Sequence, residues 1–509
     1  MTGMNRPIKR IALAALVMFV VLLIDVNYLQ AVQAPSLANK PLNDRTEYEQ
    51  NQVQRGNIVT ADGVTIATSK PSTGLFPYQR VYPGGAAFAP VTGYDTVFTQ
   101  AQAPNYATGV ERAENDLLTG TGSQLAFRNF IDTLTNKPQK GATVQVTVNS
   151  KAQDVAYQQL QAALQGKTFN GKQAVGGVVA LNPSTGAILA MASYPSYNPN
   201  ELAVQNTTTL NQVDSQLDSE DPSPLLNNAT QTTLPPGSTF KIVTTSAWYD
   251  QSSSRTPEVA VASPQPLTLP NGNTLSNDDG EICGTGAPTT PVIYAFAQSC
   301  NTPFADLGIQ LGGSTIKSMA DNYGLNSTLD IPGVTVAPSN FTAESDPSFT
   351  AYDAIGQHDT TETPLQEAMI AATVANNGVE MKPYLIQQVE ASDLSVVDQT
   401  QPQELGQPIS STIASYEKQM MIAVVQQPEG TGYAFNQNNE GGIEIAGKTG
   451  TAQNGLSAQP DAVFTAFAPA DNPKIAVGVM IEGGGYGAAA AAPIAVAVIK
   501  AYLATLGIQ

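Results

Sequence analysis

Ser238-Thr239-Phe240-Lys241 stands behind Pro235-Pro236-Gly237 and opens an apolar stretch through Ile242, Val243, Ala247 and Trp248. Pro and Gly just ahead of a serine mark a helix start, and residues three apart on a helix share one face. Lys241 is therefore expected within hydrogen-bond reach of the Ser238 hydroxyl, where a neutral amine can take its proton without any histidine. The helix N-terminus adds a positive dipole end that favours negative charge developing on the nucleophile. Taken alone the spacing says little, because a solvated helix face produces Ser and Lys at i and i+3 by chance.

Two later segments turn that pair into a constraint on the whole fold. Ser299-Cys300-Asn301 follows, and then Lys448-Thr449-Gly450-Thr451, at the end of the apolar run 443–446 and ahead of a second strand-like run, 462–468. In the order S-x-x-K, S-x-N, K-T-G, the chain resembles the penicillin-binding proteins and serine β-lactamases, whose active site is built from these three elements. Arg55-Gly56-Asn57-Ile58-Val59, continuing through Asp62-Gly63 to Ile66-Ala67, is similar to a signature of the class B penicillin-binding proteins. So are Tyr82-Pro83-Gly84, Ile355-Gly356-Gln357, Thr363-Pro364-Leu365-Gln366 and the stretch 180–191. The resemblance covers nearly the whole chain after the first few dozen residues, and is to the short actinobacterial type of peptidoglycan D,D-transpeptidase.

That resemblance implies an α+β fold: an antiparallel sheet covered by helices, with a helical subdomain, carried on a pedestal module and a membrane anchor helix. It also implies acyl transfer through a covalent seryl ester. Ser238 would attack the carbonyl between two D-alanines of a peptidoglycan stem peptide, with Lys241 as base. Ser299 would relay a proton to the leaving amine, and Asn301 would hold Lys241 and the substrate amide. Lys448 would receive the terminal carboxylate with Thr449 and Thr451, in the substrate-binding stretch Thr449-Gly450-Thr451. The N–H groups of Ser238 and Thr451 would bind the oxyanion. A lysine base must be neutral, although its reference pKa is about 10.4; burial and the second cation at Lys448 both act to lower it. β-Lactams mimic the D-Ala-D-Ala end and are expected to acylate stably.

A D,D-carboxypeptidase or β-lactamase would share these motifs with water as acceptor, and a non-catalytic β-lactam-binding sensor or scaffold would bind without turnover. The pedestal and anchor favour the transpeptidase. No glycan-polymerising domain fits in the roughly one hundred residues before the catalytic domain, so strand synthesis is expected from a partner; the resemblance suggests a SEDS-type glycosyltransferase. No cofactor or metal is implied. A formal net charge of −19 argues against nucleic acid, since phosphate binding needs a basic surface.

Arg6, Lys9 and Arg10 precede 14 uninterrupted apolar residues, 11–24, and a mixed stretch through Asp25, Asn27 and Tyr28. That length suits a signal-peptide core as well as an anchor, and Val32-Gln33-Ala34 has the look of a cleavage site. An interfacial end at 25–28 brings a helix near spanning length, and the family resemblance favours an uncleaved anchor. The basic residues then stay inside. The expected division is a cytoplasmic tail, 1–10, a transmembrane anchor, 11–33, a pedestal or dimerisation-like module, 34–149, and a transpeptidase domain, 150–509, outside the plasma membrane. Cys283 and Cys300, the only cysteines, would then lie where disulfides persist, and a bridge would tether the S-x-N segment.

Along the chain, a linker is expected at 35–44, and paired strands at 58–66 around the Asp62-Gly63 turn signal. An amphipathic helix is expected at 151–164, strands at 175–181, 187–193, 443–451, 462–468 and 475–481, and a terminal helix at 488–506. Gly442 to Thr449 matches the phosphate-loop pattern letter for letter, but its residues before Lys448 read as strand and those after it do not start a helix. His358, the only histidine, rules out paired-histidine zinc ligation. Glu362-Thr363-Pro364-Leu365-Gln366 faintly resembles a deacylation element, yet reads as the start of a helix.

Overall fold

The computed structural model describes residues 5–33, 48–98, 107–135, 137–436, 442–453 and 459–508. The linker expected at 35–44 and Ala34 lie outside them. Helix α1 (Asn5–Tyr28) carries Leu13, Phe19, Leu22 and Ile24 exposed among the described residues. Its 24 residues span about 36 Å, enough for a bilayer core of about 30 Å. A helix with an apolar stretch on every side and no buried face among the described residues fits a membrane anchor.

Strands β1 (Ile58–Val59), β2 (Thr65–Pro71), β3 (Tyr78–Val81) and β4 (Thr143–Val146) form most of an N-terminal sheet. β1 pairs antiparallel with β2 across the Asp62-Gly63 turn and parallel with β4. The glycine after Arg55 is required here: a Cβ on Gly56 would lie 1.8 Å from Ala142 O. Arg55 itself reaches inward, its Nε 2.6 Å from Glu111 Oε2, while Arg80 Nε lies 2.6 Å from Glu111 Oε1. Burial alone would raise the Glu111 carboxyl, but Arg80 and Arg55 together hold it below its ordinary value.

Asn149 caps α2 (Ser150–Leu164) by accepting from Lys151 N and Ala152 N, and Ala152, Ala156, Leu160 and Leu164 form its buried stripe. Next come β5 (Gly176–Leu181) and β6 (Ile188–Tyr194), and then, among other helices and short strands, α3 (Lys241–Asp250), α4 (Asn301–Leu311) and α5 (Pro364–Ala375). β7 (Ile386–Glu390) and β8 (Val396–Gln399) return to the first sheet, whose order is β8-β7-β4-β1-β2-β3. This hairpin lies far outside the segment expected to form the pedestal. Helix α6 (Ser411–Gln426) leads to β9 (Ala446–Ala452), β10 (Asp461–Ala468), β11 (Ile475–Ile481) and α7 (Gly487–Thr505).

The central sheet runs β9-β10-β11-β5-β6, antiparallel throughout. Its strands are buried on both faces because helices cover both. Val178 and Ala180 of β5 join the core containing Ala156 and Leu160 of α2. Their neighbours Val179 and Leu181 join the one containing Leu365, Ala368 and Met369 of α5, the alternation a strand imposes. Helix α7 is long and apolar enough to cross a membrane, but nearly half of it is buried, against β10 and β11. The other observed elements begin and end within about three residues of those expected from sequence, a normal spread for helix and strand ends, whereas β2 runs on to Pro71, beyond the expected end at 66.

Candidate active site

The expected helix start at Ser238 is a tighter structure than an α-helix. Gly237–Phe240 is a single 3-10 turn that runs directly into α3, which begins at Lys241. In a 3-10 turn, side chains at i and i+3 eclipse, so Lys241 stands over Ser238, its Nζ 2.9 Å from Ser238 Oγ. The turn is clamped from two sides. Gly237 N donates to Gly356 O at 2.8 Å, and a Cβ on Gly237 (φ +58°) would lie 2.7 Å from Thr451 O.

Lys241 Nζ has two further partners, Ser299 O at 2.8 Å and Asn301 Oδ1 at 2.9 Å. A neutral amine satisfies this set: two N–H groups for the two carbonyl oxygens and a lone pair facing the Ser238 hydroxyl. Burial pushes Lys241 well below the ordinary lysine range and nearby Lys448 pushes it further, with Asp278 opposing. No side-chain surface of Lys241 meets solvent.

Ser299 occupies a left-handed conformation (φ +60°) between the helix Val292–Ala297 and α4, a shape that residues other than glycine seldom take. Asn277 stabilises it from the far side, its Oδ1 accepting from Asn301 N at 2.8 Å and Thr302 N at 3.0 Å. Cys300 is bonded to Cys283. Lys448, also fully buried, donates to Ser299 Oγ at 2.7 Å and to Thr449 O at 3.0 Å. Burial lowers Lys448 to about 7, with Glu367 acting against the shift. A continuous path thus runs from Ser238 Oγ through Lys241 to Asn301 and Ser299, and from Ser299 Oγ to Lys448.

β9 is an edge strand, packed on the serine turn through Gly450, where a Cβ would lie 2.4 Å from Pro236 O. Thr449 Oγ1 lies 2.6 Å from Thr431 Oγ1, and Thr451 is the one residue of β9 with appreciable exposure. Residues 446–452 pair one for one with β10, so Lys448 and Thr449 of the apparent phosphate-loop pattern lie in a sheet strand. His358 Nδ1 faces Asp353 Oδ1 at 3.2 Å and its ring stacks on Phe349; Ser238 has Lys241 instead. Glu362 is fully buried, out of reach of a hydrolytic water. A cavity of about 250 Å³ lies elsewhere, lined by Tyr94, Ser193, Tyr197, Asn227 and Gln231 among others, none from the motifs. Sequence reading missed Asn277, Thr431 and Glu367; only Gly356, within a quoted family stretch, carried a prior signal.

The fold and this three-element cluster are those of a penicillin-binding protein. Residues 176–500 match the penicillin binding protein transpeptidase domain and residues 55–144 the penicillin binding protein A dimerisation domain, and the chain belongs to this family. It is 38% identical to the peptidoglycan D,D-transpeptidase PbpA of Mycolicibacterium smegmatis, over 98% of this chain and 99% of that one. The corresponding protein of Mycobacterium tuberculosis is 36% identical, over 98% of this chain and 99% of that one. The imipenem acyl-enzyme complex of penicillin-binding protein A from M. tuberculosis superposes with a TM-score of 0.80 at 36% identity, covering 89% of this chain and 100% of that one.

Proposed function

We propose that this protein is a peptidoglycan D,D-transpeptidase with Ser238 as nucleophile, inhibited by β-lactams through acylation of the same hydroxyl. The observation that carries the reading is the 2.9 Å approach of a buried lysine amine to a partly exposed serine at the foot of an edge strand. Ser238 Oγ attacks the carbonyl of the penultimate D-alanine as its proton passes to Lys241. The oxyanion accepts from the N–H groups of Ser238 and Thr451, and loss of one such donor typically costs about 2.7–4 kcal/mol. The C–N bond breaks, and the departing D-alanine amine takes a proton relayed through Ser299. An amine of a neighbouring stem attacks the seryl ester and gives up a proton to the base. Ser238 is released and a new amide cross-link remains. Lys448 holds the terminal carboxylate with Thr449 and Thr451, while Gly450 keeps β9 against the turn.

An amine acceptor is favoured over water because the one glutamate suggestive of a deacylating base, Glu362, has no solvent access. We place residues 1–10 in the cytoplasm, 11–33 across the plasma membrane, 34–149 as a pedestal and 150–509 as the transpeptidase outside, with the cysteine pair in an oxidising compartment. A SEDS-type glycosyltransferase is the proposed source of glycan strands. Incubation with membrane-bound precursor and such a polymerase should yield cross-linked muropeptide dimers, lost in Ser238→Ala. Trimmed monomers alone would make the protein a carboxypeptidase.

A further inference from the structure

Glu367, on the first turn of α5, sits beneath the nucleophile's turn. Thr239 Oγ1 lies 2.5 Å from Glu367 Oε1 and 2.9 Å from Pro236 O. A threonine hydroxyl has one proton, and Pro236 O can only accept. If Thr239 donates to Pro236 O, the short contact to Glu367 requires the proton to come from the carboxyl. Glu367 Oε2 and both Glu362 carboxyl oxygens are buried with no hydrogen-bond partner among the described residues, a setting in which burial disfavours the anion.

We propose that Glu367 is a positioning residue for acylation: as a neutral acid it donates to Thr239, which in turn donates to Pro236 O, fixing the turn that presents Ser238 to Lys241. The proposal rests on Ser238 being the nucleophile. The charged and titratable groups around the carboxyl are Glu362, on the segment leading into α5, and Lys448, from β9. Burial lifts Glu367 to about 8, while the Thr239 contact and Lys448 pull it down; Glu362 is lifted by burial and by Glu367. Ionisation of Glu367 removes the donor, so the turn loosens as pH rises.

The test compares acylation rates of the full chain by a fluorescent penicillin in Glu367→Gln, Glu367→Leu and the parent protein. The Gln amide can still donate to Thr239, so near neutrality Glu367→Gln should remain within about threefold of the parent, and Glu367→Leu should fall about fivefold or more. Lys241 and Lys448 titrate in all three proteins, so the informative quantity is the ratio of parent to Glu367→Gln. It should decline between about pH 7 and about pH 9.5, because only the parent loses its donor. A pH-independent ratio, or parent-like rates in Glu367→Leu, would overturn the proposal. Loss of all labelling in Ser238→Ala tests the nucleophile separately.

Discussion

At the scale of single residues, the site holds two buried lysines with different partners. Lys241 faces a hydroxyl and two carbonyl oxygens, and its depressed pKa suits it to the proposed role of base. Replacing it with methionine leaves Ser299 O and Asn301 Oδ1 without this donor and Ser238 without its proposed base. Acylation should slow by about 100-fold to 10,000-fold, the usual range for loss of a general base, as read by stopped-flow labelling. Burial lowers Lys448 to about 7, so its amine is charged below that value. In its proposed role, its attraction for a substrate or β-lactam carboxylate is therefore present at acidic pH and lost as pH rises through 7. The apparent affinity for a carboxylate-bearing β-lactam should weaken across this window, while its methyl ester should show no matching step; identical profiles would contradict the assignment.

At the scale of elements, two restraints hold the site together. The Cys283–Cys300 bond closes a loop with a sequence separation of 17, and a loop of that size stabilises by about 3 kcal/mol. Cys283→Ser should lower unfolding stability in urea by about that amount and slow acylation, because the Ser299 conformation loses one of its anchors. Gly450 is the other restraint: Gly450→Ala puts a methyl 2.4 Å from Pro236 O, so β9 must move away from the serine turn. The groups legible in the sequence carry unusual chemistry at fixed spacing: Ser238 with Lys241, Ser299 with Asn301, and Lys448 through Thr451. The central strands were legible from uninterrupted apolar runs. Asn277, Thr431 and Glu367 were not, because a cap or a cross-element hydroxyl contact has no periodicity. Their partners stand 24, 18 and 128 residues away in the chain, and only folding brings them together.

At the scale of the whole molecule, the N-terminal module and the catalytic half share a sheet. β7 pairs with β4, Thr147 Oγ1 donates to Ile188 O at 2.7 Å, and Arg128 bonds Asp393 in the turn between β7 and β8. A hairpin borrowed from beyond residue 380 leaves no trace in local sequence, since its alternation fits either sheet. The two halves are expected to unfold together. Trp248, the only tryptophan and deep in the catalytic half, should lose its native fluorescence at the same denaturant concentration at which circular dichroism reports loss of total secondary structure. An earlier circular dichroism phase would show that the N-terminal module is independent.

The proposed acylation requires the Ser238 hydroxyl at the foot of β9 to be the acylated atom. Intact mass followed by peptide mapping after benzylpenicillin treatment measures this directly. One adduct per chain on Ser238, absent from a folded Ser238→Ala variant, is the expected result. An adduct on another residue, or full labelling of Ser238→Ala, would contradict it.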